Sequence, residues 1–118
     1  MRPAGNPDWL GANGAACIAA AVALAALASH AVQGPGQGRL QLAAALAFGH
    51  GLALVALSPA TTRRLGRIAL LVSYLGMLLF CGSLVFSVFA QWPTTFAPLG
   101  GMAMIGGWLL LAIDRARG

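Results

Sequence analysis

The chain has 118 residues, 59% of them hydrophobic, and its nine charged residues are seven arginines and two aspartates, for a net charge of +5. A soluble domain carries roughly 25% charged residues; the 8% present here cannot cover a water-facing surface, and so apolar a composition is equally foreign to a disordered chain. A soluble globular enzyme and a disordered tail are both excluded, and a single integral membrane domain over 1–118 remains.

Four long apolar runs follow in order, over about 9–32, 40–57, 68–90 and 96–113. A helix crossing the roughly 30 Å hydrocarbon core needs about 17–25 residues, and each run is long enough. The Val, Phe and Ile of the third run read locally as strand. Barrel strands, however, alternate polar with apolar residues, and no such alternation is present. The expectation is an all-α, integral membrane four-helix bundle.

The breaks differ chemically. Gln33-Gly34-Pro35-Gly36-Gln37-Gly38 reads as a flexible turn that a helix does not tolerate. Ser58-Pro59-Ala60-Thr61-Thr62 is a second stop, followed by arginines, and Gln91-Trp92-Pro93-Thr94-Thr95 is the third. All six prolines avoid the run interiors; Pro98 falls in the first turn of the fourth run, where its missing N–H costs nothing.

Four spans put the N-terminus, the second loop and the C-terminus on one side. That side holds Arg2, Arg63, Arg64, Arg67, Arg115 and Arg117, against Arg39 alone on the other. Cytoplasmic loops are enriched in Lys and Arg, so both termini are expected in the cytoplasm. Both acids, Asp8 and Asp114, also stand at run edges, and Trp9 and Trp92 lie near opposite interfaces. Charge placed this way marks spans; it does not form a phosphate-binding patch, so the expected partner is the lipid bilayer and no nucleic acid. Abundant Ala, Gly and Arg with no Lys suggest GC-rich coding and a bacterial plasma (inner) membrane. A cleaved signal peptide, with Ala26-Leu27-Ala28 as its cleavage site, competes for the first run, but signal cores span only about 7–15 residues.

No carboxylate or arginine falls inside a run. The sequence therefore offers no intramembrane acid for proton-coupled exchange, no Ser-His-Asp set and no Walker or dinucleotide glycine motif. No enzyme activity, cofactor or metal is expected. The titratable interior candidates are His30, about 3 Å from the outer end of its run, and His50, about 15 Å deep in the second. One haem or metal does not bridge that gap. His50, with Ser83, is the better candidate for a proton relay or a ligand contact. Cys17 and Cys81 lie about 12 and 20 Å from the arginine-rich ends of their runs, which argues against a disulfide.

Sixteen glycines are about twice the usual share. Gly11, Gly14, Gly49, Gly51, Gly76, Gly82, Gly100, Gly101, Gly106 and Gly107, with the four-residue repeats Ala45–Gly49–Ala53, Ser83–Ser87 and Ala103–Gly107, read as seams where helix backbones approach closely.

Several local patterns together resemble one family. They are Ser29-His30 closing the first run, His50-Gly51-Leu52-Ala53-Leu54 in the second and Leu79-Phe80-Cys81-Gly82-Ser83-Leu84 in the third. The fourth begins Pro98-Leu99-Gly100-Gly101 and continues to Gly106-Gly107-Trp108-Leu109. In this order they resemble the YgdD/YwdK-type small inner-membrane proteins, catalogued as domain of unknown function 423 and related to vertebrate transmembrane protein 256. The resemblance implies a four-helix inner-membrane protein of unassigned activity. It also implies that a site, if present, involves His30, His50, Gly82, Ser83, Pro98, Gly100, Gly101, Gly107 and Trp108. The chain differs from that pattern in the short Gly/Gln/Pro turn between its histidines, in Cys81 where serine is usual, and in Gly49 where an aromatic residue is usual.

The function expected from these features is that of a non-enzymatic accessory or interaction subunit, or a small oligomer, in the plasma membrane. The alternative is a transporter or channel for a small neutral or anionic solute. It would use His50, Ser83 and the free N–H groups where the fourth helix begins, at Pro98-Leu99-Gly100-Gly101.

Overall fold

A computed structural model describes residues 5–118; Arg2 and Pro3 lie outside the described residues. The fold is all-helical: α1 (Trp9–His30), α2 (Pro35–Leu57), α3 (Arg64–Phe89) and α4 (Ala97–Ala116), each long and apolar enough to cross a membrane.

The ends of the helices follow from local chemistry. Asp8 caps α1, its carboxylate accepting from the Gly11 N–H at 3.1 Å. The expected flexible turn at 33–38 is corrected: α2 starts at Pro35, and Gly36, Gln37 and Gly38 are helical. Gly34 makes the turn with φ 76°, Pro35 supplies a fixed helical φ, and Gln37 Nε2 donates to the Ala28 carbonyl at 2.9 Å. A side-chain bond back to α1 thus holds a stretch that composition alone marks as a breaker. At the end of α3, Gln91 takes φ 57° and the Trp92 N–H reaches the Phe86 carbonyl at 3.3 Å. The Trp92 ring then stacks on Phe86, with centroids 5.1 Å apart, where the chain leaves the helix.

Consecutive helices pack as neighbours, α1 on α2, α2 on α3 and α3 on α4, in a flattened body of 46 × 28 × 18 Å. Bonds from Tyr74 to Asn13 and from Trp108 to His50 also tie α3 to α1 and α4 to α2. Glycine forms the tightest seams. A Cβ on Gly14 would stand 2.6 Å from the Gly51 carbonyl oxygen, and one on Gly51 would stand 2.5 Å from that of Gly14. Between α3 and α4, a Cβ on Gly76 would meet the Gly100 carbonyl at 2.8 Å, and one on Gly107 would collide with Ser73. Packing of this kind brings helices together in lipid, where apolar burial gives no net drive.

Many large apolar side chains face outward, although Leu40, Leu54, Leu70 and Met77 are fully buried. Ala21, Ala28, Ala43, Ala47 and Ala69 are buried, while Leu52, Leu75, Phe89, Met102, Ile105 and Leu109 are exposed. In water the larger side chains would gain most from burial, at roughly 25 cal/mol per Å². An exposed apolar surface of this kind accords with four helices long and apolar enough to cross a membrane.

Several of the expected seam elements are not seams within this chain. Gly82 has no atom within 4 Å of its Cβ position, and Gly101 meets only the Phe80 ring, at 3.7 Å. Ala45 and Gly49 are exposed. A four-residue repeat fixes a face of a helix but not the direction in which it points. On α2 the inward face is Leu40, Ala43, Ala44, Ala47, Gly51 and Leu54.

Candidate functional site

The interior polar pair joins α2 to α4. His50 Nδ1 lies 2.9 Å from the Leu46 carbonyl oxygen, and the Trp108 indole N–H donates to His50 Nε2 at 2.9 Å. A carbonyl only accepts and an indole only donates, so the imidazole is neutral with its proton on Nδ1. The two rings lie 5.5 Å apart and tilted by 52°. Both ring nitrogens are therefore engaged within the bundle. Because α2 runs from Pro35 to Leu57, His50 stands about 22 Å from its start and about 10 Å from its arginine-rich end, past the middle of the helix rather than at the roughly 15 Å expected from the outer end.

The other expected positions do not gather around this pair. His30 is the last residue of α1 and is exposed at the opposite end from the arginine cluster described below. Ser83 lies about 9 Å from the end of α3, near that same end. With Gly82, Phe86, Trp92, Pro93 and Phe96 it lines an apolar cavity of about 250 Å³, and its buried hydroxyl has no partner among the described residues. Pro98 is exposed in the first turn of α4, while Gly100 is buried with its Cβ position 2.5 Å from the Phe80 nitrogen. The start of α4 is thus closed on this side by the α3 backbone. Cys17 and Cys81 are free thiols that share one core cluster with Met77 and Met104, and Cys81 Sγ donates to the Ala43 carbonyl at 3.4 Å. Among the described residues no three His, Cys, Asp or Glu side chains converge.

The densest polar constellation is one that the reading of the sequence did not assemble. It joins all four helices at one end. Ser58 Oγ donates to Asp8 at 2.5 Å, linking the end of α2 to the cap of α1. Arg67 of α3 donates to the Ser58 carbonyl at 2.9 Å, to its hydroxyl at 3.2 Å and to the Thr61 carbonyl at 3.3 Å. Carbonyls left open where α2 terminates thereby gain a cationic donor, the favourable charge for that end of a helix. Thr61 accepts from Arg115 at 3.1 Å, and Arg63 lies 3.6 Å from Asp114. Asp114 is 2% exposed; its Oδ2 has no hydrogen-bond partner among the described residues and faces Gly66, where a Cβ would come within 2.8 Å of it. α3 and α4 extend to Arg64 and Ala116, past the expected run edges at 68 and 113, and so carry these charges. A signal for the cluster was available: both acids of the chain fall on the side assigned six arginines.

With this geometry established, comparison with known proteins gives one match. The family model described as "Protein of unknown function (DUF423)" matches residues 24–101, about two thirds of the chain. The chain belongs to the DUF423 family. No curated protein and no solved structure matches it. The DUF423 stretch runs from within α1 to the start of α4 and takes in His30, His50, Ser83, Ser58, Thr61 and Arg67. Trp108, Asp8, Asp114 and Arg115 lie outside it, so both the indole–imidazole bond and the charged cluster join family-matched residues to residues beyond the match. A small multi-helix membrane protein accords with the four apolar helices and the family together.

Proposed function

We propose that this DUF423 chain is a multi-pass protein of the plasma (inner) membrane, with both termini cytoplasmic. In this reading it acts without catalysis, as an interaction subunit that associates through its helices with a second copy or with another membrane protein. The observation carrying the reading is the outward face of α2. Gly38, Leu42, Ala45, Gly49, Leu52 and Ala56 are all exposed and follow one another at alternating steps of four and three. That is the spacing of a helix–helix seam, with small residues at four of six positions, and the chain's own packing leaves it unused. The enclosed pairing of His50 with Trp108 supports a structural role for the histidine. The cytoplasmic assignment is supported by the charges, with Arg63, Arg64, Arg67, Arg115 and Arg117 gathered at one end and Arg39 at the other.

The test is affinity purification of tagged full-length chain from native membranes, comparing wild type with Gly49→Leu. A stoichiometric companion, whether an untagged copy or another membrane protein, is expected with the wild type and lost with the variant. Recovery of the chain alone, or an undiminished companion with Gly49→Leu, overturns the reading.

A further inference from the structure

At the charged end a groove of about 480 Å³ opens between the start of α3 and the end of α4, lined by Arg63, Arg64, Leu65, Ile68, Asp114 and Arg117. Three guanidinium groups face one carboxylate there, and that carboxylate is already committed. Asp114 is buried, with one oxygen beside Arg63 and the other turned toward Gly66. Among the described residues the side chains of Arg64 and Arg117 make no hydrogen bond or ion pair, and both are exposed. The buried carboxylate thus fixes one arginine and leaves two others uncompensated at the mouth of the groove. The start of α3 adds to the positive field, since Arg63 at its N-cap offers no side-chain cap to the first N–H groups.

The apolar wall is what distinguishes this groove from an ordinary basic surface. Leu65 is half-buried, and Ile68, one turn further along α3, is 45% exposed beside the arginines. A ligand suited to this wall has an anionic head and an apolar continuation running along α3. We infer that the groove is a binding site for a phosphate ester carried by an anionic phospholipid. The phosphate sits between Arg64 and Arg117, and the first segment of an acyl chain lies along Leu65 and Ile68. Guanidinium forks match phosphate oxygens in pairs, and basic pockets between transmembrane helices are suited to anionic head groups. This site rests on the membrane reading above, since only a bilayer brings the lipid's head and chain to the groove in this order.

The experiment is native mass spectrometry of the purified full-length chain in detergent, titrated separately with phosphatidylglycerol, phosphatidylcholine, glycerol 3-phosphate and inorganic phosphate. An arginine near an anionic surface is worth about fivefold in affinity, so Arg64→Gln with Arg117→Gln is expected to weaken phosphatidylglycerol binding by about thirtyfold. Arg39→Gln, at the opposite end, should leave it unchanged, and phosphatidylcholine should bind far more weakly than phosphatidylglycerol. Retention of the lipid against low millimolar glycerol 3-phosphate and inorganic phosphate is expected, and its displacement by either would overturn the lipid assignment in favour of a soluble phosphate. Equal binding of the two lipids, or no loss in the double variant, overturns the site. The membrane reading is judged separately: a chain that stays monodisperse without detergent refutes that reading, whatever the lipid titration gives.

Discussion

Gly49 and Gly51 stand two residues apart on α2, yet alanine should act on them in opposite directions. A Cβ on Gly51 would lie 2.5 Å from the Gly14 carbonyl oxygen, 2.9 Å from Ile18 Cγ1 and 3.2 Å from the Ile18 backbone nitrogen. Two of these three neighbours are backbone atoms of α1, so no rotamer change relieves the contact and the helices must separate. Overpacking of this kind costs about 1–3 kcal/mol, and a rigid backbone neighbour places it near the upper end. Alanine gains about 0.8–1 kcal/mol over glycine in a helix, so Gly51→Ala should destabilise by about 2 kcal/mol. At Gly49 nothing lies within 4 Å, and only the helix term remains, stabilising by up to about 1 kcal/mol. The assay is equilibrium unfolding of the two variants in mixed detergent micelles, at dilution sufficient to keep the chain monomeric. The expected gap is about 3 kcal/mol. Equal stabilities, or Gly49→Ala as the weaker variant, would refute the assigned orientation of α2 and the α1–α2 seam with it.

Other substitutions test the remaining contacts. Trp108→Phe removes the donor to His50 Nε2 and keeps an aromatic ring; interhelical bonds in membranes average about 0.6 kcal/mol and reach about 1.7, and a loss in that range is expected by the same unfolding assay. Arg67→Gln strips a charged donor from the Ser58 and Thr61 carbonyls and should cost about 1.5–3 kcal/mol, whereas Arg64→Gln, with no partner to lose, should change stability by less than about 0.5. Comparable effects of the two substitutions would contradict the assignment of Arg67 as the tie between α2 and α3. Ser83→Ala deletes a buried hydroxyl without a partner and should leave stability unchanged or raised by about 1 kcal/mol; a marked loss would show that the hydroxyl is bonded.

The number and order of the helices were legible because apolar length and proline placement are properties of the chain alone. What was not legible depended on phase and on long-range partners. Gly82 and Gly51 are both glycines within apolar helices, yet one faces open space and the other a carbonyl of α1. Only the rotation of each helix distinguishes them. Pro35–Gly38 looked like a break because the bond from Gln37 to Ala28 spans nine residues and leaves no local mark. The partner of His50 lies 58 residues away, where Trp108 reads as one more apolar position. In the sequence Asp8 and Asp114 read as edge markers. That they fold inward, one onto Ser58 and the other beside Arg63, follows from how the four helix ends converge, which composition does not determine.

The most direct test of the account is polarised infrared dichroism of the purified chain in oriented planar bilayers. Four helices crossing the bilayer predict an amide transition aligned close to the membrane normal, with most amide protons protected from exchange. Helices lying in the membrane plane, or a chain recovered in the aqueous phase, would contradict the claim that lipid surrounds its exposed Leu, Ile and Phe side chains.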